Sequence, residues 1–352
     1  MCTTLALLSS CNKKLPDTPV QEQQVPVGFR AMSQAVWVKS GETDPDKPKF
    51  SDIHDDFGVW GIARQTGNSA PYILWETDAL SQVVKSDDSD VYVPTTAAYW
   101  LKGYVYDFIA VAPFTSSGIA ASTVNTTSST PVMTFTYDMG AKYALRGTEN
   151  IQPKDHYLFD LLGAAVKTDE IGATKPSSQD LFFWHLMSKI NIGAEFKDGE
   201  DNATAGTLTG VRIENVGSKM QYTLYYATPS SDNLNGLEVD CTHLNPKNQT
   251  TLTFDESVAA KDANGKWSVH ILPQVVTDFI ISIDYTITEN GSPVTYTDVK
   301  YTMTNANPSQ YVANGQYNWT FKIKPRQDIS FKVEVAPWTS SDVGNSGGYD
   351  IN

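Results

Sequence analysis

The stretch YNWTFKIK at residues 317–324, followed by PRQD at 325–328 and ISFKVEV at 329–335, carries the clearest structural signal in the sequence. Apolar side chains occupy alternate positions in both longer runs, and the residues between them have turn chemistry. A period of two puts successive side chains on opposite faces of a strand, whereas a helix needs a period near 3.6. This stretch therefore predicts an antiparallel hairpin with one buried face and one face in water.

A second hairpin is predicted upstream. The apolar side chains at alternate positions of 279–287 share one face, and Glu289-Asn290-Gly291-Ser292 has turn chemistry. A run rich in Thr, Tyr and Val continues from 294 to 303. Two hairpins in this part of the chain already indicate an antiparallel β architecture.

Short β-rich runs also recur along the rest of the chain, separated by Gly, Pro, Asn, Asp and Ser. Such a pattern favours an all-β protein made of sandwiches over alternating β–α–β units. Residues 157–167 form the only stretch with a helical pattern. The further predicted strands are 57–63, 104–111, 132–137, 190–196, 208–214, 222–226 and 267–272.

The length of the chain, 352 residues, suits two domains of about 150 residues each. A small and polar stretch at 172–178 supplies the predicted boundary. We expect an N-terminal β-sandwich domain at 25–178 and a C-terminal one at 179–352 that ends in a short flexible tail.

The charge balance excludes one class of partner. The chain has 26 basic and 40 acidic residues, for a net charge of -14, and such a chain is poorly suited to a phosphate backbone. Aromatic residues make up 11% of the sequence, which argues against disorder. We expect a folded protein with no nucleic-acid partner.

Catalytic motifs are missing from the sequence. The five histidines are scattered without metal-ligand spacing, and no phosphate loop, dinucleotide fingerprint or nucleophile elbow occurs. Residues 344–348, GNSGG, resemble the surroundings of a serine protease nucleophile, but no His and Asp in a matching context accompany them. The sequence therefore predicts no enzyme, no cofactor and no metal site.

The N-terminus contains the sequence LLSSC at residues 7–11, which fits a bacterial lipobox. In such a motif, small residues precede a cysteine whose thiol receives a lipid. We therefore expect an export signal at 1–10, a lipid on Cys11 and a flexible tether at 11–24. No basic segment opens this signal and its apolar part is short, so the expected signal is truncated at its front.

Several short motifs follow one another along nearly the whole chain. They are the lipobox, DFGVW (56–60), YW (99–100), YDFIAVAP (106–113), DLL (160–162), LFFWHLMSKI (181–190), LPQ (272–274), NGQYNW (314–319), ISFKVEV (329–335) and PW (337–338). In these motifs and in their order, the chain resembles the fimbrillin-like lipoproteins of Bacteroidales, the subunits of type V pili. The resemblance implies two transthyretin-like β-sandwich domains in tandem and a structural, adhesive role at the cell surface.

The resemblance also implies a mode of assembly. A trypsin-like protease cuts such precursors after an Arg or Lys that follows the first strand, and an extended segment of a neighbouring subunit fills the resulting groove. The removable strand would contain Val25, Val27 and Phe29, with Arg30 or Lys39 as the cleavage site. Arg30 is preferred for its residue type, although Lys39 lies in a more loop-like context. The alternative is that neither is cut and both are ordinary surface charges.

The expected partners are other fimbrial subunits in a homo- or hetero-polymer, the outer membrane through the lipid on Cys11, and a host or bacterial surface ligand. The tail at 339–352 is rich in Gly, Ser and Asp, which makes it a poor strand to donate. If the hairpin that ends at Val335 cannot swing out instead, this subunit could accept a donor strand but not give one, which suits a tip or accessory subunit better than a shaft subunit.

Another class of function stays open. The 8 Trp and 17 Tyr residues could form aromatic platforms in a surface glycan-binding lipoprotein of a nutrient-capture system. This alternative predicts a cluster of exposed Trp and Tyr side chains on one face. A hydrolase is the third hypothesis and would need catalytic groups that converge in a cleft.

Overall fold

The computed structural model describes most of the chain, and its bounded secondary-structure elements are all strands. The described ranges are 24–33, 50, 56–67, 71–75, 80–86, 91–114, 119–125, 130–139, 161–198, 202–229, 236–244, 251–254, 260–261, 267–275, 279–303, 310–324, 330–337 and 347–349. The predicted all-β class is confirmed.

The strands of the first half are β1 (Phe29–Ser33), β2 (Asp56–Gln65), β3 (Pro71–Ile73), β4 (Ser81–Lys85), β5 (Val91–Pro94), β6 (Tyr104–Ala112), β7 (Ile119–Asn125), β8 (Val132–Asp138), β9 (Leu162–Lys167), β10 (Gln179–His185), β11 (Ser188–Asp198) and β12 (Asn202–Ala203). Those of the second half are β13 (Gly206–Glu214), β14 (Lys219–Tyr226), β15 (Leu237–His243), β16 (Thr251–Phe254), β17 (Ala260–Lys261), β18 (Trp267–Ile271), β19 (Gln274–Val275), β20 (Ile280–Glu289), β21 (Ser292–Thr302), β22 (Gln310–Tyr311), β23 (Gly315–Ile323), β24 (Ser330–Pro337) and β25 (Gly347–Tyr349).

Both predicted hairpins are confirmed. Strands β23 and β24 pair antiparallel from Gly315 opposite Pro337 to Lys322 opposite Ser330. Strands β20 and β21 also pair antiparallel, and the turn between them has positive φ at Asn290 (48°) and Gly291 (79°). A two-residue hairpin turn with positive φ at both central positions matches the right-handed twist of the strands, which explains the Asn-Gly sequence.

An eight-stranded sheet in the first half of the chain closes on itself. Its strand order is β3-β2-β4-β5-β1-β10-β9-β6, and β2 also pairs with β6. All of its strands except β3 therefore form a closed ring, called here the ring sheet. Its interior is an apolar cluster that includes Phe29, Phe57, Tyr92, Phe108 and Phe183.

A four-stranded sheet, β15-β14-β8-β7, packs on the outside of the ring sheet. Trp60 and Ile109 of the ring belong to the same buried cluster as Phe135 and Tyr222 of this second sheet. Phe135 and Tyr222 lie opposite each other on β8 and β14, with their rings stacked at 5.4 Å. Burial on both faces explains why β2 and β6 read as continuous apolar runs.

The remaining strands form two larger sheets and one small one. The larger sheets have the orders β17-β18-β11-β23-β24-β25, with β12 beside β11, and β16-β13-β20-β21. Strands β19 and β22 form a separate pair. The cluster that contains Trp60 and Tyr222 continues into these sheets through Ile190, Ile281 and Trp319.

Among the residues that the structure describes, two tyrosine corners occur, one in each half of the chain. The Tyr106 hydroxyl accepts a hydrogen bond from the Leu101 N–H (2.6 Å) and donates one to the Tyr99 carbonyl (3.0 Å). In the second half, the Tyr317 hydroxyl accepts a hydrogen bond from the Val312 N–H (2.9 Å) and donates one to the Gln310 carbonyl (3.4 Å). In both corners the two partners lie five and seven positions before the tyrosine. Such corners close the connections of β-sandwiches, and their repetition supports two related halves.

The sheets do not divide along the chain at residue 178. Strand β10 begins at Gln179 and belongs to the ring sheet, where it pairs with β1 and β9. Strand β8 lies before that point and pairs with β14, which lies after it. The division into two domains, 25–178 and 179–352, stays a prediction.

The helix suggested by the pattern at 157–167 is wrong for the part of this stretch that the structure describes. Within 157–167, the structure describes residues 161–167, and Leu162–Lys167 form strand β9 between β6 and β10. Residues 162–165 are buried, so this strand lacks the alternation that marks a half-exposed one.

Candidate functional site

Strand β1 closes the ring sheet. It pairs in parallel with β10 from Phe29 opposite Gln179 to Ser33 opposite Phe183, and antiparallel with β5. Without β1, the strands β5 and β10 have no hydrogen-bonded neighbour between them. The ring is therefore held closed by a strand that lies near the start of the chain.

The residues just before β1 are also bound on one edge. The Val27 N–H donates to the Ala98 carbonyl (2.8 Å), and the Trp100 N–H donates to the Val25 carbonyl (3.0 Å). On the other side, the Gln179 N–H donates to the Gly28 carbonyl (2.8 Å). The segment 25–33, called here the first-strand segment, is thus an extended chain lying in a groove between two backbone edges.

The inward side chains of this segment fill an aromatic pocket. Phe29 is fully buried, and its ring lies edge-on to those of Phe108 (5.0 Å) and Phe57 (6.1 Å). Val27 is also buried, while Val25 is partly buried against the same cluster. Burial of a Phe side chain contributes about 2 to 3 kcal/mol, and each favourable aromatic pair adds about 0.5 to 1.5 kcal/mol. These contacts give the groove a strong preference for apolar residues at alternate positions.

The outward side of the segment carries one ion pair. The Arg30 guanidinium donates from Nε to Asp180 Oδ1 (2.8 Å) and from Nη2 to Asp180 Oδ2 (2.9 Å). The side chains of Arg30 and Asp180 are 56% and 34% exposed. An ion pair in this setting contributes less than about 1 kcal/mol to stability. Its main effect is to favour the register of β1 on β10 that places Arg30 opposite Asp180, and a basic residue at that position.

The structure places the predicted site residues unevenly. Val25, Val27 and Phe29 lie in the first-strand segment, whose strand continues to Ser33 instead of ending before Arg30. Arg30 therefore lies inside a paired strand. Lys39 and Cys11 lie outside the described residues. Among the described residues, no helix is long and apolar enough to span a bilayer.

Sequence reasoning missed the partners of this strand. Asp180 and the edge at 98–100 are separated from β1 by long stretches of chain, and a parallel pairing leaves no local turn signal. The family resemblance implied a strand at Val25, Val27 and Phe29, but it carried no information about what that strand pairs with in this chain.

Among the residues that the structure describes, no group of three or more His, Cys, Asp and Glu side chains is placed to hold a metal ion. An open depression lined by Thr223, Tyr225, Tyr226 and Asp240 contains neither a histidine nor a pair of carboxylates. Cys241 is a free cysteine that is exposed to solvent.

The aromatic side chains that the structure describes are mainly core residues. Trp60, Trp100 and Trp319 are each 1% exposed. The most exposed aromatic side chain among those described is Tyr72, at 57%. These tryptophans do not form the exposed platform that a glycan-binding surface would need.

The signature of the fimbrillin-like family matches residues 47–338. The chain belongs to the fimbrillin-like family. The matched range begins after β1, so Cys11, Arg30 and Lys39 all precede it.

Solved structures of Bacteroidales proteins are similar to this fimbrillin-like chain. A fimbrial protein from Bacteroides vulgatus has 12% identity and a TM-score of 0.50, with 90% of this chain and 100% of that chain covered. A candidate cell adhesion protein from Bacteroides uniformis has 16% identity and a TM-score of 0.48, with 91% and 99% covered. The tip fimbrial protein Mfa3 from Porphyromonas gingivalis has 11% identity and a TM-score of 0.37, with 90% and 100% covered.

At these identities the likeness to the Bacteroides vulgatus protein concerns the fold alone. A search of curated proteins found no match.

Proposed function

We propose that this fimbrillin-like chain is a structural and adhesive subunit of a surface fimbria, without catalytic activity. It is exported as a lipoprotein precursor and held at the outer membrane through a lipid on Cys11. Proteolysis then removes the first-strand segment, and an extended segment of a neighbouring subunit takes its place. The observation that carries this proposal is the position of β1 as the strand that closes the ring sheet.

The geometry of the groove supports strand exchange. Removal of the first-strand segment leaves unpaired backbone groups on β5 and β10 and an empty pocket beside Phe57 and Phe108. Unpaired strand edges bind other extended chains, with backbone hydrogen bonds supplying affinity and alternate side chains supplying register. The processed subunit therefore needs a donor strand to regain its stability.

The structure supports Lys39 over Arg30 as the cleavage site. A cut after Arg30 would leave residues 31–33 paired with 181–183 of β10. A protease would also have to extract Arg30 from a ladder that is bonded on both sides. A cut after Lys39 would release the whole of β1, since the strand ends at Ser33.

The tail supports the role of an acceptor. Residues Gly347–Tyr349 form β25 and pair in the same chain with Val333–Val335 of β24. A tail that is engaged with its own sheet, and that is rich in Gly and Ser, is a poor donor for a neighbour. We propose a tip or accessory position for this subunit. A subunit in that position receives a donor strand in its own groove and does not donate a strand to another subunit.

Limited digestion of the purified precursor with trypsin tests this function. In addition to cleavage at Lys13 and Lys14 of the tether, we expect a discrete cut after Lys39, detected by intact mass, which a Lys39→Gln variant abolishes and an Arg30→Gln variant does not. The digested protein should then bind a labelled peptide of residues 25–33 added in excess, after the protease has been inhibited. The uncut precursor is the control, since its groove is occupied. Absence of the cut after Lys39, or equal peptide binding by cut and uncut protein, would refute the proposal.

A further inference from the structure

The outer face of the groove limits the size of one donor residue. Gly28 is buried, and a Cβ atom at this position would lie 3.2 Å from Val91 Cγ1 and 3.3 Å from the Ser177 carbonyl oxygen. The carbonyl belongs to the backbone, so it cannot rotate away as a side chain can. A Cβ atom here would require Val91 or the backbone at Ser177 to shift by a few tenths of an ångström, and a larger side chain would require more, so the position favours glycine.

The next outward position selects for charge. Arg30 lies directly opposite Asp180 in the parallel register, and both of its bonds to that carboxylate have good geometry. A basic residue at this position is attracted by Asp180, whereas an acidic residue would face a like charge across the ladder. The position between these two, that of Phe29, faces inward and favours an aromatic ring.

We infer that the groove selects its donor by a three-residue pattern: glycine, then an aromatic residue, then lysine or arginine, in the register of Gly28, Phe29 and Arg30. This inference rests on the proposed function. The partner is then an extended segment of another subunit that carries this pattern, and Asp180 binds the basic side chain of that segment.

The tail of the chain itself fits this pattern only in part. Gly348 and Tyr349 supply the glycine and the aromatic residue, but Asp350 follows them where Arg30 would stand. In the groove of a second copy, Asp350 would lie opposite Asp180, and like charges directly opposite each other are destabilising. The groove therefore discriminates against the tail of a second copy and favours a different subunit.

Competition among short peptides tests this selection on the trypsin-processed protein. The reference is a labelled peptide of residues 25–33, and the competitors carry Arg30→Lys, Arg30→Glu or Gly28→Val. We expect Arg30→Lys to bind within about twofold of the reference and Arg30→Glu about threefold to tenfold more weakly. Gly28→Val should bind about tenfold more weakly or worse, because of overpacking.

Charge exchange separates the role of Asp180 from a general effect of the peptide. An Asp180→Lys variant should reverse the order of the Arg30 and Arg30→Glu peptides. A peptide of residues 346–352 should bind weakly, and its Asp350→Lys form should bind more tightly to the unaltered protein. Added salt should reduce both charge effects, because the Debye length falls from about 8 Å at 0.15 M to about 3 Å at 1 M.

The outcomes distinguish the inference from the function on which it rests. If the peptide of residues 25–33 does not bind the processed protein, the groove does not open and the proposed function fails. If that peptide binds but Arg30→Glu and Gly28→Val bind equally well, strand exchange stands and the selection pattern is refuted.

Discussion

At the scale of single residues, two positive-φ positions show how far sequence reasoning extends. Asn290, with Gly291, turns the β20–β21 hairpin, and the Asn-Gly pair predicts this turn. Asp298 also has a positive φ of 54°, in a bulge of β21, and no local pattern marks it. Its conformation depends on tertiary contacts, since its N–H donates to Asp284 Oδ1 (2.7 Å) and Arg212 bridges both carboxylates.

This triad gives a prediction for pH. The hydrogen bonds from Arg212 hold the pKa of Asp284 below its ordinary value of 3.8. A lowered folded-state pKa means that the contribution to stability is present above pH 3.8 and is lost as the pH falls through the lowered pKa. We expect Arg212→Ala to lower the free energy of unfolding by about 1 to 2 kcal/mol at neutral pH and to reduce the loss of stability in acid. Urea denaturation across a pH series measures both effects.

The control for this prediction is a more exposed ion pair in the same sheet. Lys300 lies 3.1 Å from Glu214, and its side chain is 52% exposed. We expect Lys300→Ala to change stability by less than about 1 kcal/mol. Equal losses in the Lys300→Ala and Arg212→Ala variants would contradict a specific role for the triad.

At the scale of elements, half-exposed strands were predictable and strands buried on both faces were harder. The alternation in β23 and β24 led directly to their hairpin. Strand β9 carries small residues, LGAAVK, that are buried from 162 to 165, and its composition suited a helix as well as a strand. Its strand conformation is imposed by β6 and β10, which pair with it on both sides.

The two tyrosine corners predict matched losses on substitution. Tyr106→Phe removes the acceptor of the Leu101 N–H, and Tyr317→Phe removes that of the Val312 N–H. We expect each change to lower the free energy of unfolding by about 1 to 3 kcal/mol, because it leaves a part-buried N–H without its partner. Tyr72→Phe, at a side chain that is 57% exposed, should have little effect and serves as control. A loss in only one corner would argue against equivalent roles in the two halves.

In β1, substitutions of the buried Phe29 and of the exposed Arg30 should differ in their effect on stability. In the uncut precursor, Phe29→Ala should lower the free energy of unfolding by about 3 to 5 kcal/mol, because it empties the pocket between Phe57 and Phe108. Arg30→Ala should cost less than about 1 kcal/mol, since its ion pair is mostly exposed. Thermal or chemical denaturation measures both, and a larger loss for Arg30→Ala would contradict the packing of β1 described here.

At the scale of the whole molecule, the strand pairings come from residues far apart in the chain. The all-β class follows from the alternation of apolar and polar residues. The pairings of β1 with β10 and of β8 with β14, in contrast, join residues that are far apart in the sequence, such as Phe29 with Gln179 and Asp138 with Lys219. Local pattern gives no access to such pairings, because loop length and turn chemistry specify only sequential neighbours. The segment at 172–178, which is the predicted domain boundary, lies between β9 and β10, two adjacent strands of the ring sheet.

The closed ring makes a final prediction about where the processed molecule loosens. Once the first-strand segment has been cut and removed by gel filtration in dilute urea, the Trp100 and Gln179 amides lose their acceptors on Val25 and Gly28. Hydrogen exchange at these amides and along β5 and β10 should accelerate by at least tenfold, which corresponds to about 1.4 kcal/mol of local opening free energy. The β23–β24 hairpin should keep its protection, since its described strands pair with each other, with β11 and with β25 in a different sheet from β1. A peptide of residues 25–33 should restore slow exchange at the groove alone. Loss of protection throughout the molecule would mean that the ring cannot persist open, and unchanged exchange at Trp100 and Gln179 would mean that β1 does not hold it closed.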